Sequence, residues 1–129
     1  MLQQNQNKAF ILEYFNALAT EGKSKNIIDK YMTDESLIAH IDFFEAAFPG
    51  YDIITNEMYA EDNHVIVIAH FKGMHKGELN GIVPTFKEVN IPFAIRYTIE
   101  NNKIVSHWIL ADQMAMMQQL GVIPAAASH

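Results

Sequence analysis

The hydrophobic period changes once along this chain, at Pro49-Gly50, and that change limits the fold more than any other feature. Before it, apolar residues recur at helical spacing. Phe10, Tyr14 and Leu18 fall at i, i+4 and i+8, with Ile11 and Phe15 widening the stripe. The spacing predicts a helix over 5–19, stopped at Glu21-Gly22-Lys23. A second helix is expected over 24–31, with Ser24 as its N-cap. Thr33-Asp34 is expected to cap a short turn before His40, and a third short helix is expected over 42–48.

After Gly50 the pattern is strand-like. Strands are expected over 51–60, 64–75, 87–100 and 103–111. Glu61-Asp62-Asn63 and Asn101-Asn102 read as tight turns, and 76–86 reads as a loop with Gly77, Gly81 and Pro84. A closing helix is expected over 112–120, followed by a frayed tail from Pro124 to His129. Helices first, then a meander of long antiparallel strands, is an α+β layout with helices packed on one face of a curved sheet. A sheet wrapped around a helix leaves a cone with an apolar interior, a natural small-molecule pocket.

Composition narrows the function. A chain of 129 residues is expected to form a single domain, 1–129, and its apolar half is enough for one sizeable core. The net charge of -6, with scattered basic residues, argues against nucleic acid as a partner. There is no cysteine, hence no disulfide framework, thiol nucleophile or cysteine-zinc site. No apolar run approaches the ~20 residues of a membrane span, and no signal-peptide layout opens the chain. A cytoplasmic location is expected. The six histidines show no i,i+4 pair or helical His-Glu motif, so neither a metal site nor a cofactor is expected.

Several short segments occur together in a particular order. They are Ala47-Phe48-Pro49, Ala60-Glu61-Asp62, Gly73-Met74-His75-Lys76-Gly77-Glu78-Leu79 and Pro84-Thr85. Lys103-Ile104-Val105, His107-Trp108, Asp112 and Gln118-Gln119-Leu120-Gly121 follow. In this order and spacing the chain resembles the SnoaL-like polyketide cyclases of the NTF2-like superfamily, from Tyr31 to Pro124. It departs from them at Phe86, where the family often has Gly, and at Ile109, where it often has an acid. The resemblance implies an NTF2-like (cystatin-like) cone, and a homodimer through the outer sheet face is expected. The same scaffold also serves hydratases, isomerases and non-enzymatic binders, so fold alone does not give function.

Asp112 is the first candidate catalytic residue. Trp108, Leu110 and Asp112 share parity along the last strand and are expected on one face. If that face lines the cone, desolvation favours the neutral acid and suits it to proton transfer. In the cyclases it resembles, an aspartate here is assigned the acid/base role in an intramolecular aldol closure. An Asp at a helix start is also an ordinary N-cap, and both readings stand. His40 is the second candidate. The resemblance implies that it faces the pocket, where it would polarise a carbonyl or share a proton with the acid. A histidine bonded to a nearby backbone carbonyl is the bland alternative.

Trp108 is expected as a pocket wall or as a plain core residue, and Tyr14 as core packing first and a substrate contact second, because a buried hydroxyl needs a partner. His75 matches the family's Gly-x-His pattern and either meets the substrate or bonds the following loop. His70 and His75 have opposite parity and are expected on opposite faces. Arg96 interrupts an apolar strand and is expected to pair with a carboxylate, of the protein or of a substrate. His107, of opposite parity to Trp108, is expected outside the cone. The functional expectation is a cofactor-free cyclase or isomerase acting on a hydrophobic, keto-containing small molecule. A non-enzymatic module binding a small ligand or a partner protein is the alternative.

Overall fold

The computed structural model describes residues 2–122, so the expectation for the tail after Ile123 lies outside the described residues. Three helices come first: α1 (Leu2–Glu21), α2 (Lys25–Tyr31) and α3 (Glu35–Ala47). Four strands follow: β1 (Asp52–Glu61), β2 (His64–Met74), β3 (Glu88–Glu100) and β4 (Lys103–Ala111). A last helix, α4 (Gln113–Leu120), closes the described chain. The strands form one antiparallel sheet in the order β1-β2-β3-β4.

Each strand is set by alternation. On β3 every odd residue from Val89 to Ile99 is buried, and its even neighbours are exposed or half-buried. On β2, Val65, Val67, Ala69 and Phe71 are buried on the same face. α1 crosses that face over β1 and β2, inserting Ile11, Tyr14 and Ala17. Each large apolar side chain buried this way contributes about 1.5–3 kcal/mol of transfer free energy. The β3–β4 turn puts Asn101 at φ 51° and Asn102 at φ 57°. Two successive left-handed residues make the turn whose twist suits a hairpin, and asparagine tolerates that region.

One expectation about the helices is corrected. The turn at Thr33-Asp34 followed by a short helix is a single 13-residue helix, α3. Asp34 caps it, with Oδ1 accepting from the Leu37 N–H at 3.1 Å. The helix therefore begins seven residues earlier than the apolar spacing alone indicated, and His40 lies on it.

α4 is tied at both ends. Asp112 is its N-cap, and Gly121 ends it at φ 80°, donating to the Gln118 carbonyl. Gln119 accepts from the Asn90 N–H at 2.7 Å and donates to the Asn90 carbonyl at 3.1 Å. That two-point bond fastens α4 to the start of β3.

Two bulges break the alternation. Asn56 is extra on β1, between Thr55 and Glu57. Val105 is extra on β4: Thr98 faces Ser106, whereas Ile99 faces Ile104. An inserted residue exchanges the faces of everything beyond it.

Candidate functional site

The helices and the inner sheet face enclose a cavity of about 190 Å³. Tyr14 of α1 closes one side, and Leu37, His40, Ile41 and Phe44 of α3 form a second. Ile91, Phe93, Ile95 and Tyr97 of β3 make the floor, with Ile109 and Ala111 of β4 beside them. Leu79 and Asn80 reach in from the loop after β2, and Met116 and Met117 from α4. Exposed Phe43 stands on the cavity lining as well. Among the described residues, no carboxylate is on the lining.

The polar groups in this apolar setting are few. His40 is half-buried, with its ring 4.7 Å from that of Phe44. Burial lowers its pKa below the usual 6.5, and the neighbouring His107 lowers it further. The imidazole is thus neutral near pH 7 and able to accept a proton.

Three phenols share the cavity with it: Tyr14, Tyr51 and Tyr97. Burial raises all three pKa values above the ordinary tyrosine value; neighbouring phenols add to this at Tyr14 and Tyr97, and the Glu45 and Asp42 carboxylates add to it at Tyr51. They remain hydrogen-bond donors at every physiological pH. Among the described residues, phenol-to-carboxylate bonds are made by Tyr31 with Glu13 and by Tyr59 with Glu57, and by none of these three. Tyr51 is held in place by Lys23, whose Nζ donates to the Tyr51 carbonyl at 2.8 Å and lies 4.2 Å from the ring centroid.

A buried pair joins the start of α3 to β4. The His107 Nδ1–H donates to Asp34 Oδ2 at 2.6 Å, and both side chains are nearly inaccessible. Asp34 thus does two things at once, capping α3 through Oδ1 and holding the His107 ring through Oδ2.

The structure redistributes the residues expected from sequence. Tyr14 and His40 line the cavity. Asp112 does not: it is exposed, and its Oδ1 accepts from the Ala115 N–H at 2.9 Å as the cap of α4. Trp108 and Leu110 are 52% and 63% exposed on the outer face, so the expected pocket wall is corrected. The cause is the Val105 bulge, which turns His107, Ile109 and Ala111 inward instead. His107 is corrected likewise, from outside the cone to inside it.

Arg96 is exposed on the outer face, between Ile66 of β2 and Trp108 of β4. It is therefore neither on the cavity lining nor in an ion pair among the described residues. His70 and His75 do face opposite ways. His70 bonds Asn56 across β1 at 2.7 Å. His75 is fully buried and bonds the following loop. Its Nδ1 accepts from the Thr85 N–H at 3.2 Å and lies 3.1 Å from the Thr85 hydroxyl. It is not on the cavity lining.

Tyr51, Tyr97 and Asp34 escaped the sequence reading. Tyr97 was detectable, because it continues the odd-numbered apolar stripe of β3. Tyr51 and Asp34 carry no comparable signal, since a residue after Pro-Gly and a capping acid are ordinary.

Residues 15–120 match the family described as SnoaL-like polyketide cyclase. The chain belongs to that family. Solved structures agree on the fold. AclR from Streptomyces galilaeus, for which a hydroxylase activity has been put forward, superposes at TM-score 0.80 with 21% identity, covering 94% of this chain and 99% of that one. A protein from Jannaschia sp. CCS1, assigned as a SnoaL-like polyketide cyclase, gives 0.79 at 19% identity, with 94% and 95% covered. IdmH from Streptomyces antibioticus, assigned as a polyketide cyclase, gives 0.74 at 17% identity, with 90% and 99% covered. No curated protein shows a significant sequence match. In this SnoaL-like chain Asp112, at the strand-to-helix corner, serves as the cap of α4. No helix among the described residues is long and apolar enough to cross a membrane.

Proposed function

We propose that this SnoaL-like protein is a cyclase or isomerase that moves a proton on a small, hydrophobic, keto-containing molecule, with His40 rather than Asp112 as the base. The observation that carries this reading is one basic imidazole among three un-ionised phenols in a cavity whose lining is otherwise apolar apart from the amides of Asn80 and Gln113. His40 takes a proton from the carbon next to the ketone. A phenol of Tyr14, Tyr51 or Tyr97 donates to the carbonyl oxygen as it gains enolate charge. Donors aimed at a developing oxyanion in a dry site stabilise it more than water does. His40 then returns the proton to a second carbon, or to an alkoxide formed by ring closure.

The cavity limits the substrate. A 150 Å³ apolar cavity in a protein core takes up benzene, and this one is about 190 Å³. A ketone of one or two fused rings fits that scale. Small keto-containing molecules are therefore the substrate class, and the protein acts without a bound cofactor or metal. The outer sheet face, with Ile54, Ile66, Trp108 and Leu110 exposed, supports a homodimer through that surface.

The absence of a carboxylate from the lining favours a second reading, in which the cavity only holds a ligand. Proton exchange separates the two. The probe is 1-tetralone in D2O, followed by NMR at the carbon beside the ketone. Exchange above the buffer rate in wild type, lost in His40→Gln with binding retained, supports the base. Binding without exchange supports the second reading. Exchange that survives His40→Gln overturns the assignment of His40.

A further inference from the structure

Among the described residues, three on the cavity lining are also exposed to solvent: Phe43 of α3, Asn80 of the loop after β2 and Gln113 at the start of α4. The other lining residues are buried or half-buried. A residue that both lines a cavity and meets solvent marks where the cavity opens. These three therefore frame its mouth, and two of them carry carboxamides.

The loop tip that carries Asn80 is held firmly. Leu79 and Ile82 exchange both backbone bonds, at 3.0 and 2.8 Å. Between them Asn80 and Gly81 take φ 47° and 86°, two successive left-handed residues of a tight hairpin turn. Leu79 is buried and anchors the tip. His75 closes the ends of the loop: its N–H donates to the Lys87 carbonyl at 3.0 Å, and its carbonyl accepts from the Phe86 N–H at 2.9 Å. The Lys76 and Gly77 N–H groups both donate to the Ala47 carbonyl, at 3.0 Å each, and so tie the loop to the end of α3. Asn is an ordinary turn residue, but turn chemistry does not require its place on the lining. Gln113 stands in the first turn of α4, which Asp112 caps. Among the described residues neither amide is hydrogen-bonded within the protein, whereas Gln119 on the same helix commits its amide to Asn90.

Groups presented on separately anchored elements lose little freedom when a ligand binds. A carboxamide both donates and accepts hydrogen bonds and carries no charge. Among the described residues no Lys or Arg is on the lining, and the acids Asp42 and Asp112 adjoin Phe43 and Gln113 in sequence. A carboxylate arriving at this mouth meets no cation on the lining. We infer that Asn80 and Gln113 are specificity-determining residues, which hold the outer end of the substrate and select an uncharged hydrogen-bonding group there over a carboxylate. The selected molecule is a ketone whose far edge carries such a group. The inference rests on the cavity taking a small ketone, but not on His40 being the base.

The experiment compares 1-tetralone with its 6-carboxamide and 6-carboxylate derivatives, by titration calorimetry on the full chain. Wild type is set against Asn80→Gly and Gln113→Met. Glycine accepts the left-handed turn position, and methionine keeps the length and helix propensity of glutamine. Wild type should bind the carboxamide roughly tenfold tighter than the carboxylate. Each variant should weaken the carboxamide about threefold to tenfold, the size of one neutral hydrogen bond, and leave 1-tetralone within about twofold. Equal losses for carboxamide and 1-tetralone overturn the inference and leave the two residues as plain walls. A carboxylate bound as tightly as the carboxamide overturns it as well. If one variant does not fold, the other decides by the same criterion. Failure of all three ketones to bind wild type overturns this inference together with the reading of the cavity. Selection by the amides without proton exchange in D2O supports the inference and removes only His40 as base.

Discussion

Ile104 and His107 point to the same face of β4 although they are three positions apart in the chain. Regular alternation would put them on opposite faces. Val105 is the additional residue, and it exchanges inside and outside for the rest of the strand. His107 thereby meets Asp34, and Trp108 meets solvent.

Asp112 is a cap, which separates its stability role from any chemical one. Asp112→Asn should leave stability within a few tenths of a kcal/mol, because asparagine caps about as well. Asp112→Ala should cost about 1 kcal/mol. Neither should slow 1-tetralone exchange. Urea unfolding and the exchange assay check this, and a folded Asp112→Asn without exchange would return the acid to the mechanism.

Trp108 is the sole tryptophan and is half exposed on the outer face. Its emission therefore reports that face alone. In dilute solution it should be long-wavelength and open to acrylamide quenching. With rising concentration it should shift to shorter wavelength as a partner covers the sheet, in step with mass from sedimentation. Emission that stays constant through a change in mass would place the dimer contact elsewhere.

The exchange rate should rise with pH and level off, with its midpoint below the usual histidine value of 6.5, because burial and then His107 lower the His40 pKa. The sign for stability is the same. The unfolded chain binds a proton at His40 more readily than the folded one, so stability falls as pH drops through 6.5 toward the folded value. Rate profiles and chemical denaturation at several pH values test both. A rate that falls as pH rises through this range would contradict a neutral imidazole base.

Removing one phenol should affect rate more than binding. Tyr97→Phe should slow exchange roughly tenfold or more while 1-tetralone affinity changes little, since the bond to oxygen strengthens as charge develops. Equal losses in rate and affinity would make Tyr97 a plain binding contact.

Gly77 is needed for a close approach. A Cβ there would lie 2.0 Å from the Ala46 carbonyl oxygen, and the Gly77 N–H already donates to Ala47 at 3.0 Å. Gly77→Ala should cost about 1–3 kcal/mol through overpacking. Full stability by urea unfolding would mean that the loop can move away from α3 at no cost.

The order of elements was legible because it depends on local rules. The 3.6 period drew α1, alternation drew the odd-numbered stripe of β3, and Asn101-Asn102 marked its hairpin. The start of α3 was misread, because Glu35 to Ala39 lacks a strong apolar stripe and the cap at Asp34 also suits a short turn. The helical stripe of α1 placed Tyr14 in the core and left a substrate contact as its second reading, and family resemblance pointed His40 toward the pocket; both line the cavity. Trp108 was expected on the wrong face, and of the two readings of Asp112 the structure shows the cap.

Sequence alone determined where helices and strands form in this protein and that they leave an apolar cone, since propensity, period and turn chemistry act between near neighbours. Only the tertiary structure decided which side chains enter the cone. A strand's face depends on register against its partner, and one unpaired residue at Val105 is enough to reverse it. Nothing in Lys103-Ile104-Val105-Ser106 announces that bulge. It exists because Ile104 must fill the core beside Ile99 while His107 reaches Asp34, and both demands come from residues distant in the chain.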